Sequence, residues 1–421
     1  MKRVAVALTF AVALSFARRA TAEVTIVKSD TWEVYTTGRV NAFLSYGWGD
    51  AIPLPLMMGS NIPPGGGLDT GNDSMPVFAP GTMTQVQGTF QSMRLRSGFL
   101  PNVFGVGFRR QLSENTSLKI FIALWATIES ESQRKTTPVE TDAREGYLKI
   151  EGPWGSVLAG RALDLFSRGA TENDFLYGHG FGVGFPGNID NVGPTAGLIG
   201  FGVMAAFFAP GLVYATPSAG GLQLTAGIYD ATPLPGSYEA TRFARPESEL
   251  TYDLAGQAMK LHLFANTEYQ KIYRAGSNDS ATSYGVGYGG RVEVGAFHLG
   301  VAGHYGPGLG LGYALQPGPV SVSQMNKLRT FDGYSGLVQY AAGKFDINLG
   351  VGISRTFILQ EDVDANNVSI LKRQIGYSAG FVLHISESLH YDIDFLRGDA
   401  AWSQGEKQIF NFINTGVTAT W

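Results

Sequence analysis

Cysteine is absent from all 421 residues. That excludes disulfide scaffolds, thiolate metal sites and cysteine nucleophiles together. Charge is scarce too: Asp, Glu, Lys and Arg make up 16% of the chain, against roughly a quarter in an ordinary soluble domain. The shortage is not that of a disordered chain, because 44% of residues are apolar and 12% aromatic. The six histidines, His179, His262, His298, His304, His384 and His390, match no HExxH-type spacing, so neither a metal nor a cofactor is expected. His384 and His390 flank a turn that holds Ser386 and Ser388, but no acid completes a triad, and no catalytic residue or enzyme is expected. Gly182-x-Gly184-x-x-Gly187 and Gly285-x-Gly287-x-x-Gly290 fit a dinucleotide-binding pattern, yet neither follows a strand and opens a helix. With 56 glycines in the chain, both are chance matches.

What is present begins with an export signal. Lys2 and Arg3 precede an apolar stretch from Val4 to Phe16, and Ala20-Thr21-Ala22 supplies a small-x-small cleavage site. The apolar stretch is too short to span a bilayer as a helix. Residues 1–22 are read as a signal peptide and 23–421 as one domain. Losing 1–22 removes four basic residues and no acid, leaving 27 basic against 35 acidic and a net charge of −8. Nucleic acid is therefore a poor partner.

Helical periodicity is rare beyond residue 22, whereas alternation with period two recurs throughout. Phe345, Ile347, Leu349, Val351, Ile353 and Phe357 share one face, opposite Asp346, Asn348, Gly350, Gly352, Ser354 and Thr356. Leu389, Tyr391, Ile393 and Phe395 alternate with His390, Asp392 and Asp394 in the same way. Sixteen such segments are predicted: 32–46, 91–110, 117–130, 143–151, 156–166, 210–216, 222–230, 247–254, 259–273, 282–294, 296–306, 331–342, 345–358, 370–385, 388–402 and 407–421. Long connections alternate with tight turns. Between Asp190 and Asp230 no residue is charged, but Gly197, Gly200, Gly202 and Pro210 oppose a helix there, and a loop followed by a strand is expected instead.

An even number of antiparallel strands, with long loops at one end and short turns at the other, specifies an all-β transmembrane antiparallel β-barrel. Lipid offers no hydrogen bonds, so a sheet spans it only by closing on itself, apolar side chains outward and polar ones toward a watery lumen. Tyr35, Tyr46, Trp48, Phe99, Tyr147, Trp154, Tyr214, Tyr269, Tyr273, Tyr305, Tyr391 and Trp402 fall near strand ends, where aromatic girdles meet the headgroups.

The segment Gly146-Tyr-Leu-Lys-Ile-Glu-Gly-Pro-Trp-Gly-Ser-Val-Leu-Ala-Gly-Arg161 resembles the strand–turn–strand YVGLKGxFGTVxLGR of the general porins of Gram-negative outer membranes. The strand count and loop order extend that resemblance over residues 23–421, and the longest strand-free connection follows the fifth strand, as in that family. The resemblance implies an outer-membrane channel for passive diffusion of small hydrophilic solutes and ions, a homotrimer in outer-membrane lipid, and an inward-folded constriction loop, here 167–209. A PEFGGD-type sequence is missing from that loop, and Tyr177-Gly-His-Gly-Phe-Gly-Val-Gly-Phe-Pro186 stands in its place. Ile413, Thr415, Val417, Ala419 and Trp421 alternate outward up to an aromatic end, as outer-membrane barrels usually end. This is the expected signal to the barrel-assembly machinery, with Trp where Phe is usual.

Parity assigns the lumen residues. With Val40, Ala42 and Leu44 outward, Arg39 faces in, and with Met93, Leu95 and Phe99 outward, so do Arg94 and Arg96. Leu148 and Ile150 outward put Lys149 inward, and Leu158, Gly160 and Ala162 outward put Arg161 inward. Opposite this basic wall are expected the loop acids Glu172, Asp174 and Asp190, with Asp346, Asp392 and Asp394 also in the lumen. A substrate-specific channel is the alternative, for which a row of lumen-facing aromatics would argue. A non-conducting structural or adhesin barrel is a further one.

Overall fold

The computed structural model describes residues 23–50, 89–98, 102–126, 128, 142–173, 175, 197–206, 208–233, 240–310, 327–364, 371–403, 405 and 407–421. The expectations for 1–22, Phe99, Asp174, Tyr177–Pro186 and Asp190 fall outside them.

Nineteen strand segments form one sheet. They are β1 Val24–Lys28, β2 Trp32–Asp50, β3 Thr89–Arg96, β4 Asn102–Ser113, β5 Thr116–Ala126, β6 Asp142–Gly152, β7 Gly155–Leu163, β8 Phe208–Ala215, β9 Leu222–Tyr229, β10 Ala240–Thr241, β11 Arg245–Ala255, β12 Lys260–Tyr273, β13 Ser280–Val294, β14 Phe297–Pro307, β15 Thr330–Ala341, β16 Phe345–Phe357, β17 Leu371–Ser386, β18 Leu389–Trp402 and β19 Lys407–Thr420. Three of them lengthen others. β3 and β4 both pair with β2, in register with its second and first halves, and so make one staircase. β10 and β11 both pair with β12. β1 pairs with Glu33–Thr36 of β2, just below the point where β19 ends.

The result is a closed antiparallel barrel of sixteen strands. Closure comes from β19 against β2, from Phe410 opposite Gly49 to Thr420 opposite Arg39. Each ladder bond is thus made inside the sheet, as a bilayer requires.

Exposure alternates along long strands such as β12, β13 and β16. Leu349 and Val351 are outward and exposed, while Asn348 and Ser354 are buried on the inner face. Tyr269 stands opposite Tyr284 on the outer surface, part of a tyrosine-rich band there that continues through Tyr288, Tyr305 and Tyr334. At the closing seam Trp421 lies against Gly38, where a Cβ would overlap the indole, and near Phe104, ring centroids 6.3 Å apart. Only glycine leaves room for that final ring.

The described parts of the connection between β7 and β8 lie inside the barrel. They contain a short helix, α1 (Arg168–Asn173), and a stretch, 197–206, folded into tight turns at Gly197, Gly200 and Gly202. No helix among the described residues is long and apolar enough to cross a membrane. Residues 197–206 of the uncharged stretch instead lie against the inner wall, ahead of β8.

Candidate functional site

The inner face of β2, β4, β5 and β6 is built in rows fixed by the ladders. One row holds Glu33, Arg109, Lys119 and Lys149, each opposite the next. The next holds Tyr35, Gly107, Phe121 and Tyr147, and a further one sets Arg39 opposite Val103 and Val103 opposite Trp125. Cations and rings interleave as a consequence. The Lys119 ammonium is 5.8, 5.3 and 5.8 Å from the ring centres of Tyr35, Phe121 and Tyr147, and the Arg109 guanidinium is 4.0 Å over Tyr35. Arg39 and Arg144 lie 5.9 and 5.1 Å over Trp125.

Like charges directly opposite on neighbouring strands repel. Arg109 is balanced by Glu23 at 2.5 Å and Lys149 by Glu151 at 2.9 Å. Among the described residues Lys119 makes no ion pair, and its charge rests on ring faces instead.

The opposite inner surface is neutral or acidic. Asp346, Asp392 and Asp394 are buried in the lumen face of β16 and β18, among Gln339, Asn348 and Asn414. Gln339 donates to Asn348 Oδ1 at 2.9 Å, and Thr418 donates to Asp392 Oδ2 at 3.1 Å.

The inner segments fasten to that surface at two places. Glu247 Oε2 accepts the backbone N–H groups of Leu165 and Phe166, both at 2.8 Å, Arg245 pairs with Asp164 at 2.9 Å, and Arg168 pairs with Glu249. Glu172 is exposed to the lumen, and its backbone carbonyl accepts from Arg291 at 3.3 Å. Although the side chain reaches the lumen, the protein packed around it desolvates its carboxyl and raises its proton affinity, opposed by the nearby Arg168 charge.

Further along, Leu198, Phe201 and Val203 are buried in one apolar cluster with Leu337, Leu396, Phe410 and Phe412 of the far wall. Ser354 Oγ accepts from Gly202 N at 2.8 Å, and Gln374 donates to the Gly200 carbonyl. The wall has no side chain at Gly352 and Gly376, where a Cβ would meet the Phe201 carbonyl and side chain. The Thr171 hydroxyl donates to the Ser167 carbonyl and accepts from Ala206 N, each at 3.0 Å, tying α1 to the outgoing stretch.

Arg39 and Lys149 therefore stand on the lumen face with Asp346, Asp392 and Asp394. Arg94 and Arg96 occupy ladder positions opposite Ser45 and Phe43, but their side chains are outside the described atoms. Arg161 requires a correction. Its ladder partners are Gly146 and Pro210, on the parity of the exposed Leu148 and Leu212, so it belongs to the outer face. The two-residue turn at Pro153–Trp154 pairs Gly152 with Gly155, which sets odd positions of β6 opposite even positions of β7. Lys149 inward thus carries Leu158 inward with it.

Sequence reasoning missed Lys119, Arg109 and the anchors Arg245 and Glu247. The signal for Lys119 was available: Ile120, Ile122 and Leu124 alternate with Lys119, Phe121 and Trp125. The anchors carry no local pattern, because their partners lie about 80 residues away.

The Gram-negative porin family matches residues 5–378. Among curated proteins, none matches the sequence. Solved structures share the fold. The outer membrane channel DcaP of Acinetobacter baumannii aligns with a TM-score of 0.64 at 14% identity, over 94% of this chain and 99% of that one. The anion-selective porin from Comamonas acidovorans gives 0.60 at 12%, over 93% and 100%. The in-vitro folded OmpT of Vibrio cholerae, in its trimer form, gives 0.51 at 12%, over 93% and 100%. With a closed sixteen-stranded barrel, a polar lumen and a family match over nearly its whole length, the chain belongs to the Gram-negative porins and is an outer-membrane channel for passive diffusion of solutes.

Proposed function

We propose that the connection 167–209 is the constriction of this channel, and that ions cross it in a transverse field between a basic and an acidic wall. The observation that carries this reading is the double fastening of the inner segments, at Glu247 and Glu249 on one side and around Phe201 on the other. A loop held at two walls narrows the lumen without closing it. Arg39, Arg109, Lys119 and Lys149 supply the basic wall, with the ladder positions of Arg94 and Arg96 beside them. Glu172 supplies the acidic side, together with Asp174 and Asp190 of the loop, while Asp346, Asp392 and Asp394 add negative charge elsewhere on the lumen wall. Arg161 is not part of it. Selectivity in a wide barrel depends on such charges at its narrowest level.

The protein acts as a homotrimer in this reading, as the trimer form of OmpT does. Residues 1–22 direct export, and the strand ending at Trp421 engages the barrel-assembly machinery. A channel rather than an enzyme follows from the family. The test is single-channel conductance of the refolded chain under a salt gradient. Ohmic steps in threes support a general trimeric pore, and absence of current from a verified barrel would sink it.

A second reading has its own support. The rings of Phe121, Trp125, Tyr35 and Tyr147 among cations suit solutes that join an anionic head to a flat apolar body. Such a channel is blocked by benzoate at concentrations where acetate has no effect. Equal behaviour of the two anions refutes it.

A further inference from the structure

Five of the six histidines lie in described strands, and two of them meet. His384, near the end of β17, and His390, at the start of β18, are ladder partners across the turn at Glu387–Ser388. Both are on the parity of Val382 and Asp392, which are buried on the inner face, so the pair lines the lumen at its short-turn mouth. Their Nδ1 atoms are 2.8 Å apart, and the other ring nitrogen of His384 is 3.0 Å from Asp346 Oδ2.

The carboxylate fixes the protons. Asp346 accepts from Nε2–H of His384, which leaves the lone pair of that ring on Nδ1, aimed at His390. His390 then donates its Nδ1–H. A carboxylate behind a histidine whose free nitrogen faces a second histidine is the outer-shell arrangement of histidine metal sites.

The spacing that the hydrogen bond sets is also within the bite of one kind of ion. Two imidazole nitrogens about 2.0 Å from an ion and about 90° apart are about 2.8 Å from each other, whereas a tetrahedral ion needs about 3.3 Å. Right-angled nitrogen pairs suit Cu2+ or Ni2+. We propose that His384 and His390 form a two-nitrogen chelate for Cu2+ or Ni2+ at the short-turn mouth of the lumen, with Asp346 as the positioning residue of His384. The ion takes the place of the His390 Nδ1 proton, which moves to Nε2 of the same ring, so both imidazoles stay neutral. Among the described residues no group of three or more metal-binding side chains converges, so water fills the remaining positions, and the site stays open to the lumen. A bound dication places two positive charges beside Asp346 and Asp392 and turns this mouth toward anions.

The test is Cu2+ binding to the refolded full-length barrel, followed by electron paramagnetic resonance. One ion per chain with two equatorial nitrogens is expected. His390→Gln should lose it, Asp346→Asn should weaken it by about 10- to 100-fold, and His262→Gln, on another strand, should leave it unchanged. If His384→Gln does not form a barrel, His390→Gln and Asp346→Asn still decide. Unchanged stoichiometry and spectrum in His390→Gln would overturn the proposal, as would a spectrum with no nitrogen coupling. In bilayers, Cu2+ should move the reversal potential toward anions in the wild type and not in His390→Gln. The spectroscopic arm needs no conduction, so it is independent of the constriction reading.

Discussion

The two halves of the lumen wall solve different problems with the same strand geometry. On β2 to β6 the inward side chains are cations laid over aromatic rings, and the described inner segments make their fastenings elsewhere. On β11 to β19 the inward side chains are amides, carboxylates and glycines, and the inner segments are bound there by ion pairs, backbone bonds and an apolar cluster. A surface meant to meet ions holds its charges on ring faces, where they are oriented but stay in contact with water. A surface meant to hold a loop buries its charges in pairs and removes side chains where backbones must touch.

Breaking the second surface should have the largest effect. Gly352→Val puts a side chain where the Phe201 carbonyl rests, so the loop leaves the wall and single-channel conductance rises. Phe201→Ala should act in the same direction, removing about 3–5 kcal/mol of docking. Conductance unchanged in both would show that this stretch does not limit the pore.

Next comes the anchor. Arg245→Met leaves Asp164 and Glu247 buried without their cation, which should cost about 3–5 kcal/mol. The thermal unfolding of the barrel should fall, and a second change, Glu247→Gln, should restore part of it.

On the basic wall the effect is smaller. A charge 4 Å from a passing ion in water is worth about 1 kcal/mol, or about fivefold in permeability ratio. Lys119→Gln with Lys149→Gln should shift the reversal potential toward cations within that bound, while stability changes little. Arg161→Gln should give no shift, which separates the outer face from the lumen.

The smallest effect is expected at the outer rim. Arg329 holds Asp362, in a short helix α2 (Gln360–Asp364), at 2.7 Å. Burial alone would raise the Asp362 carboxyl, but the Arg329 bonds and the Leu359 N–H outweigh it and hold the group below its usual range. A depressed carboxylate contributes stability that is complete above the ordinary value, about 3.9, and is lost as pH falls through the depressed one. Protease cutting near α2 should therefore be unchanged from pH 7 to about 4 and increase only below that. Increased cutting already at pH 6 would contradict it.

Sixteen strands and the inward parity of Lys149 and Asp392 were legible because each rests on a period of two, which is local. Arg161 was misplaced because parity does not carry through a hairpin unless the turn length is known. His384 and His390 read as flanking one turn, but only the ladder brings their nitrogens together. Phe201 showed no sign of its partners, since Phe410 and Phe412 lie some 210 residues later.

The sequence by itself determined the barrel class and, for most strands, which side faces lipid, because solvent on two sides imposes alternation residue by residue. The tertiary structure alone decided where the inner segments dock, which cations lie on which rings and that two histidines meet. Those depend on register between strands and on chain segments far apart, and no local pattern encodes either.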